Sequence, residues 1–431
     1  MTGSLTYDQA IARLGETLRF GINPSLEGIR VLTQALGSPE KSYRCIQVTG
    51  TNGKTSVTRM IAAGLAALGH SVGAYTSPHL ISYTERFEID GTPVSEGELV
   101  RALGEVFAAA EGLDRQFTEF EILTAAAFVL FKARQVEWAV LEVGMGGRWD
   151  ATSIVDPAVA VITGIGLDHT DRLGSTREEI AIDKSHIIKR GSTAVIGPGC
   201  DGVVEIFEQR ATQMTSPFVL RVGVGPQPHI TWDIVRRPRT PGGTLTVDVH
   251  VHGVQTRRAR LQAPSYQAPN IATAMAAIGA ALWDTGHADA ADDVAKTLRF
   301  PGRFELLRER PPLIIDGAHN PQAAEMLATS IEEVFADVPP MVVLAILADK
   351  DAEGIVRALA PVASGFVVSE NGSPRCLAAS ELAVIVECVT GIVPVVEPDL
   401  ERAVAVASEP GCGVIVTGSL YTAGAVRALF V

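Results

Sequence analysis

The run Val48-Thr49-Gly50-Thr51-Asn52-Gly53-Lys54-Thr55-Ser56 constrains the fold of this chain more than any other stretch. A short strand-like segment, Cys45-Ile46-Gln47-Val48, leads into it, and a helical pattern from about Val57 to Leu68 follows. Strand, glycine-rich loop and helix in that order commit this part of the chain to an α/β architecture. Gly50 and Gly53 let the backbone turn tightly and leave no Cβ in the way of an anion. Backbone N–H groups and the helix N-terminus can then face a nucleotide phosphate. Lys54 supplies a point positive charge, and the Thr55 hydroxyl can reach Mg²⁺. The string departs from the commonest phosphate-loop pattern, because the position five before Gly53 is Val48 and not glycine.

With 431 residues, the chain is long enough for two full cores. It is 47% hydrophobic and 20% charged, which places it in the globular class. The formal charge is −13 and no dense Lys/Arg run occurs, so a nucleic-acid track is not expected. The five cysteines are scattered, without a C-x-x-C pair, and read as core residues in a reducing compartment. The amphipathic N-terminus does not look like a signal peptide, and no run of 18 apolar residues suggests a membrane span. A cytoplasmic protein is the expectation.

Helices are expected at 5–20, 26–36, 96–111 and 119–133, with a loop carrying short extended pieces over 76–96. Nearly continuous apolar strands are expected at 138–143, 158–163 and 193–196, as in a buried parallel sheet. Residues 218–262 change to a period-2 pattern, as in Leu245-Thr246-Val247-Asp248-Val249-His250-Val251, and predict a small antiparallel element. Helices at 269–283 and near 290–298 follow. After Phe300-Pro301-Gly302-Arg303 the β–α alternation restarts, giving domains 1–299 and 300–431 with a ligand cleft expected between them.

Further candidate residues stand at strand ends. Glu142 closes the strand before Gly144-Met145-Gly146-Gly147. A carboxylate there, beside a phosphate loop, suits Mg²⁺, although an arginine partner is the alternative. His169, in Asp168-His169-Thr170, is either a ligand or a hydrogen-bonded loop histidine. Lys184 in isolation reads as a solvent-facing lysine. Asp316-Gly317-Ala318-His319-Asn320-Pro321 follows the strand Leu313-Ile314-Ile315. Asp316 can accept from a hydroxyl or an amine, and His319 can donate to a ribose or phosphate. Alternatively Asp316 or Asn320 caps the helix that starts at Pro321.

Together these motifs resemble the Mur ligase superfamily, and within it the folylpolyglutamate synthase and dihydrofolate synthase family. The matching pieces are the loop from Thr49 to Ser56, Thr76-Ser77-Pro78-His79-Leu80, Phe120-Glu121 and Leu141 to Thr152. They continue with Leu167 to Thr170, Lys184, Gln267 with Asn270, Pro301 to Glu305, Asp316 to Pro321, Ala348 to Asp351, and Thr417 to Tyr421. The resemblance implies a P-loop, Mur-ligase-like central domain with a small antiparallel β element, plus a smaller C-terminal Rossmann-like α/β domain. It implies a monomeric enzyme that joins L-glutamate to a pterin acid or folate with ATP, through an acyl phosphate, and binds neither nucleic acid nor membrane.

The same resemblance supplies roles. Gly50, Thr51, Asn52, Gly53, Lys54, Thr55 and Ser56 would hold the nucleotide, with Asn270, Arg303, Asp316 and His319 on the ATP side. Thr55, Ser77 and Glu142 would surround one Mg²⁺, and His169 with a carbamylated Lys184 would hold or support a second. Lys54, Glu142, His169 and Lys184 would be the catalytic set. Phe120 and Asp150 match positions that contact the pterin, and Lys350 is a candidate for glutamate. The chain departs from the family pattern at Trp149, Ser153, Ser185-His186 and Pro264-Ser265-Tyr266. Those near Asp150 leave room for a different carboxylate acceptor. A nucleotide-binding protein without ligase activity is a third reading.

Overall fold

The structure, a computed structural model, describes residues 5–17, 24–252, 256–283, 298 and 300–430. It divides into two compact units. The first comprises Met1–Trp232, Val249–Ala259 and Pro269–Ala295, and the second comprises Asp233–Asp248, Arg260–Ala268 and Lys296–Val431.

An eight-stranded sheet organises the first unit. Its strands are β1 (Arg44–Thr49), β2 (Val72–Tyr75), β3 (Phe87–Ile89), β4 (Thr92–Pro93), β5 (Trp138–Glu142), β6 (Val159–Gly164), β7 (Thr193–Gly199) and β8 (Val219–Arg221). Their spatial order is β4-β3-β2-β5-β1-β6-β7-β8. Six of these strands pair in parallel, and only β3 and β4 run antiparallel at one edge. The central parallel strands β5 and β6 are buried on both faces, which is why they read as nearly continuous apolar runs. One core layer packs Ile29, Leu32, Leu103, Phe107 and Phe128 on one part of the sheet, and another packs Ile180, Ile187 and Phe207 beside β6 and β7.

From β1 the chain leaves toward β2, whereas from β6 it leaves toward β7 on the opposite side. β1 and β6 are neighbours, so their C-terminal ends form the crevice where open α/β sheets place ligands.

Local signals fix several boundaries. The helices Glu96–Glu111 and Glu119–Ala133 start behind Ser95 and Thr118, each in a capping box with a glutamate at the third helical position. The helix after the phosphate loop is Lys54–Ala67 and starts three residues before the expected Val57. The apolar period begins at Val57, but the first turn is polar because it faces the loop. The first helix is Tyr7–Glu16, starting two residues after the expected position 5, and residues 18–20 of the expected span lie outside the described residues. The helix expected near 290–298 falls almost wholly outside the described residues.

The stretch 218–262 splits. β8 joins the large sheet, and only β9 (Ile230–Arg236), β10 (Thr244–Val251) and β11 (Thr256–Gln262) form a separate sheet, in the order β11-β10-β9.

The second unit carries a six-stranded sheet. Its strands are β12 (Glu305–Glu309), β13 (Pro312–Ile315), β14 (Met341–Leu344), β15 (Gly365–Val368), β16 (Val395–Val396) and β17 (Val414–Thr417). They lie in the order β12-β13-β17-β14-β15-β16, and only β12 is antiparallel to its neighbour. The helices Pro321–Val334, Ala352–Leu359 and Ala379–Thr390 pack on it through Leu327, Ile331, Ile355 and Leu382.

Candidate active site

The phosphate loop is built by the end of β1 and the start of helix Lys54–Ala67. Gly50 has φ +152° and Gly53 has φ +85°, and Gly53 is the residue that caps the helix. Neither position has room for a side chain. A Cβ on Gly50 would stand 1.9 Å from Thr163 Oγ1, and one on Gly53 would stand 2.6 Å from Asn270 Oδ1. Asn270 is therefore brought against the loop.

The neighbouring strand fastens the loop. Thr163, on β6, donates its hydroxyl to Asn52 O at 2.6 Å. Thr51 N donates to Gly164 O at 2.8 Å, and Gly166 N donates to Thr51 Oγ1 at 2.9 Å. The first-turn N–H groups of a helix lack intrahelical acceptors, so this fixed turn aims donors outward from the strand ends. Lys54 Nζ folds back onto Gly50 O and Thr51 O, at 3.0 and 3.2 Å.

Glu142 ends β5, in register with Val48 of β1. It is 1% exposed. Thr55 Oγ1 donates to its Oε1 at 2.9 Å, and the backbone N–H of Ser77 donates to its Oε2 at 3.1 Å. Thr55, Ser77 and Glu142 thus meet at one corner, the first through its hydroxyl and the second through its backbone. Among the described residues no group of three His, Cys, Asp or Glu side chains is placed to hold a metal ion by itself. One carboxylate with a threonine hydroxyl suits Mg²⁺ shared with nucleotide phosphates and would not suit a closed zinc cage.

Lys184 corrects the reading of an isolated surface lysine. It ends the helix Arg177–Lys184 and is 3% exposed. Burial pulls its ammonium from 10.5 down to about 7. The Lys54 charge adds to this, while Asp183, Asp168 and Asp150 oppose it. The fold therefore sets Lys184 within electrostatic reach of Lys54 and Asp168, which helix periodicity could not reveal. His169 adopts φ +51°, its side chain is 48% exposed, and its Nε2 lies 3.9 Å from Asp168 Oδ2.

Asp150 is buried and accepts from Met145 N at 3.0 Å and from Thr152 N at 3.0 Å. Burial pushes its carboxyl above the usual aspartate range, and these bonds draw it back. A Cβ on Gly144 would stand 2.7 Å from Phe120 Cζ and 3.2 Å from Asp150 Oδ2. Phe120, Gly144 and Asp150 therefore share one surface. Beside them Trp149 is 45% exposed, with the Arg148 guanidinium 4.8 Å from its ring. Of the other departures, Ser153 and Ser185 turn inward. Ser153 accepts from Gln47 Nε2 at 2.9 Å, Ser185 donates to Ile182 O, and His186 bonds the same carbonyl.

In the second unit Asp316 follows β13. It accepts from Phe304 N and Ala318 N, both at 2.8 Å, and from the Tyr266 hydroxyl at 3.3 Å. Burial raises its carboxyl, and the Arg303 guanidinium counteracts that. Asn320, not Asp316, caps the helix Pro321–Val334, through Ala323 N at 2.8 Å. His319 Nδ1 bonds Gly317 O at 2.8 Å. Lys350 Nζ lies 3.9 Å from Asp349 Oδ2, and Asp349 also pairs with Arg375. Thr163 escaped the sequence reading, and Tyr266 stood there only as a departure from the family pattern, without a role. Each is an ordinary residue in its local pattern, and only its long-range partner gives it a role.

A nucleotide-type loop, a buried carboxylate corner and a second α/β unit define a Mur-type ligase. Two family profiles match the chain: Mur ligase middle domain over residues 48–281, and Mur ligase, glutamate ligase domain over residues 302–420. A dihydrofolate synthase/folylpolyglutamate synthase of Mycobacterium tuberculosis is 35% identical over a 449-position alignment, covering 95% of this chain and 90% of the relative. The structure of a Mycobacterium tuberculosis folylpolyglutamate synthase with ADP and AMPPCP aligns with a TM-score of 0.86 at 35% identity, covering 98% of this chain and 99% of that one. A bifunctional folylpolyglutamate synthase/dihydrofolate synthase, solved with Mn, AMPPNP and L-glutamate, aligns with a TM-score of 0.83 at 29% identity over 99% of both chains. The chain belongs to the dihydrofolate synthase/folylpolyglutamate synthase family of the Mur ligases.

Proposed function

We infer that the protein is an ATP-dependent ligase that forms an amide between L-glutamate and the carboxylate of a pterin acid or reduced folate. One observation carries this reading: Thr55 and Ser77 converge on the buried Glu142 beside the glycine-turned loop, in a member of a glutamate-ligating family. An acceptor carboxylate oxygen attacks the γ-phosphorus of ATP, giving an acyl phosphate and ADP. The glutamate amine then attacks the acyl carbon, an amide forms, and phosphate leaves. No protein nucleophile is needed, because the activated intermediate is carried on the substrate.

Within that scheme Lys54 neutralises the β,γ-phosphates, and Gly50 to Ser56 cradle them. Thr55, Ser77 and Glu142 would hold one Mg²⁺, and His169 with a carbamylated Lys184 would hold or support a second. Bound Mg²⁺ supplies positive charge to the phosphoryl oxygens. A charged Lys184 would repel a cation, whereas its carbamate offers oxygen. The amine must be neutral to take up CO₂, and a lysine pulled to about 7 is far more often neutral than one at 10.5. Asn270, Arg303, Asp316 and His319 act on ATP, Phe120 and Asp150 on the pterin, and Lys350 on glutamate. We assign residues 1–299 to the ATP-binding domain and 300–431 to the glutamate ligase domain, with 233–248 and 260–268 clustering structurally with the second unit. The enzyme acts as a cytoplasmic monomer, with no nucleic-acid or membrane partner. Among the described residues no helix is long and apolar enough to cross a membrane.

The exposed Trp149 ring beside Asp150 favours a second reading, in which another carboxylate takes the pterin's place. A panel of dihydropteroate, tetrahydrofolate and 10-formyltetrahydrofolate, each with L-glutamate and Mg-ATP, separates the two. Glutamylated product by mass spectrometry supports the first. Inert folates alongside turnover of a non-pterin acid support the second.

A further inference from the structure

The loop from Ser77 to Arg86 does more than bring Ser77 to Glu142. Glu85 accepts from the backbone N–H groups of Leu80, Ile81 and Ser82 at 3.0–3.1 Å. Ser82 caps the short turn Tyr83–Arg86 that closes the loop. Arg86 Nε donates to His79 Nδ1 at 2.8 Å, and the His79 and Tyr83 rings lie 4.2 Å apart. The Arg86 guanidinium also lies 5.2 Å from the Tyr83 ring centroid. Tyr83 is thus held by two neighbours of its own loop.

Its hydroxyl reaches out of that loop and donates to Glu119 Oε1 at 2.7 Å. Burial, then the bond and charge of Glu119, push the phenol well up, so it stays a donor across the working pH range. Glu119 opens the helix Glu119–Ala133, and the next residue is Phe120, whose ring packs against Gly144 and stands 6.1 Å from the Tyr75 ring. The capping box of Thr118 and Glu121 closes this helix start only within its own turn. The Tyr83–Glu119 bond ties that turn to the loop behind Ser77.

We propose that Tyr83 is a positioning residue for the acceptor: through Glu119 it fixes the Phe120 turn to the loop that carries Ser77, holding the acceptor and phosphoryl sides in register. The inference rests on the reading of Phe120 as an acceptor contact. A charge-assisted bond at this distance is strong enough for its loss to register kinetically.

The test is the kinetics of Tyr83→Phe, which keeps the ring and removes the donor. At saturating Mg-ATP and glutamate, the acceptor KM should rise roughly three- to tenfold, from loss of a charged hydrogen bond, with the ATP KM unchanged. Glu119→Leu should match it, and Glu119→Gln, which keeps an acceptor oxygen, should recover most of the loss. The double variant Tyr83→Phe/Glu119→Leu should be no worse than either single change. Amide exchange at Glu119 to Glu121 should quicken in Tyr83→Phe whatever the acceptor is. A wild-type acceptor KM in Tyr83→Phe, an equal rise in all three substrate KM values, or unchanged exchange overturns the proposal. A wild-type enzyme that glutamylates no pterin acid overturns the acceptor reading instead, and the exchange result then decides on Tyr83 alone.

Discussion

Replacing Lys184 with methionine should stabilise the unmodified protein while removing its activity. Lys184 is 3% exposed, and burial brings its ammonium from 10.5 to about 7. At about 1.4 kcal/mol per pH unit, this gap opposes folding by roughly 5 kcal/mol at low pH. The sign follows from proton counting. Between pH 7 and 10.5 the unfolded chain holds a proton that the folded one has lost, so wild-type stability falls as pH drops through this window and is restored above it. Methionine has similar volume and carries no such penalty. Lys184→Met should therefore be more stable than wild type by about 4 kcal/mol at pH 7 and about 2 kcal/mol at pH 9. The change with pH cancels every group the two proteins share. All four tryptophans, Trp138, Trp149, Trp232 and Trp283, belong to the unit that holds Lys184, so urea unfolding followed by tryptophan fluorescence reports that unit. The buffers should be free of CO₂, so that the amine stays unmodified. A stability gap that does not change between pH 7 and 9, or a variant less stable than wild type at pH 7, refutes the account of a desolvated lysine.

Other perturbations separate the roles. Gly53→Ala forces an L-residue to φ +85° and pushes a methyl to 2.6 Å from Asn270 Oδ1. Its ATP affinity by calorimetry should fall roughly five- to 150-fold, from strain of order 1–3 kcal/mol. Glu142→Gln removes the charge at the Thr55–Ser77 corner, so the Mg²⁺ concentration giving half-maximal turnover should rise steeply while circular dichroism stays native. Lys184→Ala should lose turnover and regain part of it with added short carboxylates that replace the carbamate. Full activity of Lys184→Ala at low CO₂ would remove that role. Tyr266→Phe leaves Asp316 its two backbone donors, so it should cost about 1 kcal/mol or less in stability.

The parts legible in the sequence are those fixed by local chemistry. Gly50 and Gly53 announced a turn with positive φ, and Ser95 and Thr118, each with glutamate three residues later, announced helix starts. The apolar runs behind β5, β6 and β7 announced a buried parallel sheet. What stayed hidden depends on long-range partners. Lys184 sits in a helix whose polar neighbours suggest solvent, yet its side chain is buried by contacts that no spacing encodes. Thr163 looks like any strand threonine until Asn52 is folded against it. β8 has the period-2 composition of its neighbours but pairs with β7, because sheet membership is decided by an available edge. The helices Ala379–Thr390 and Leu400–Ser408 are not legible in the sequence, since short Ala- and Val-rich segments give similar patterns for helix and strand.

The central claim is amide formation by way of phosphoryl activation. The direct measurement is mass spectrometry of products after incubation with [γ-¹⁸O₄]ATP, dihydropteroate or a reduced folate, and L-glutamate. Phosphate bearing an oxygen from the acceptor carboxylate is followed by labelling that carboxylate in a parallel run. The account predicts one glutamylated product per ADP, with a carboxylate oxygen transferred to the released phosphate, and no product when glutamate or acceptor is omitted. ADP release without amide, or amide without oxygen transfer from the carboxylate to phosphate, would contradict it.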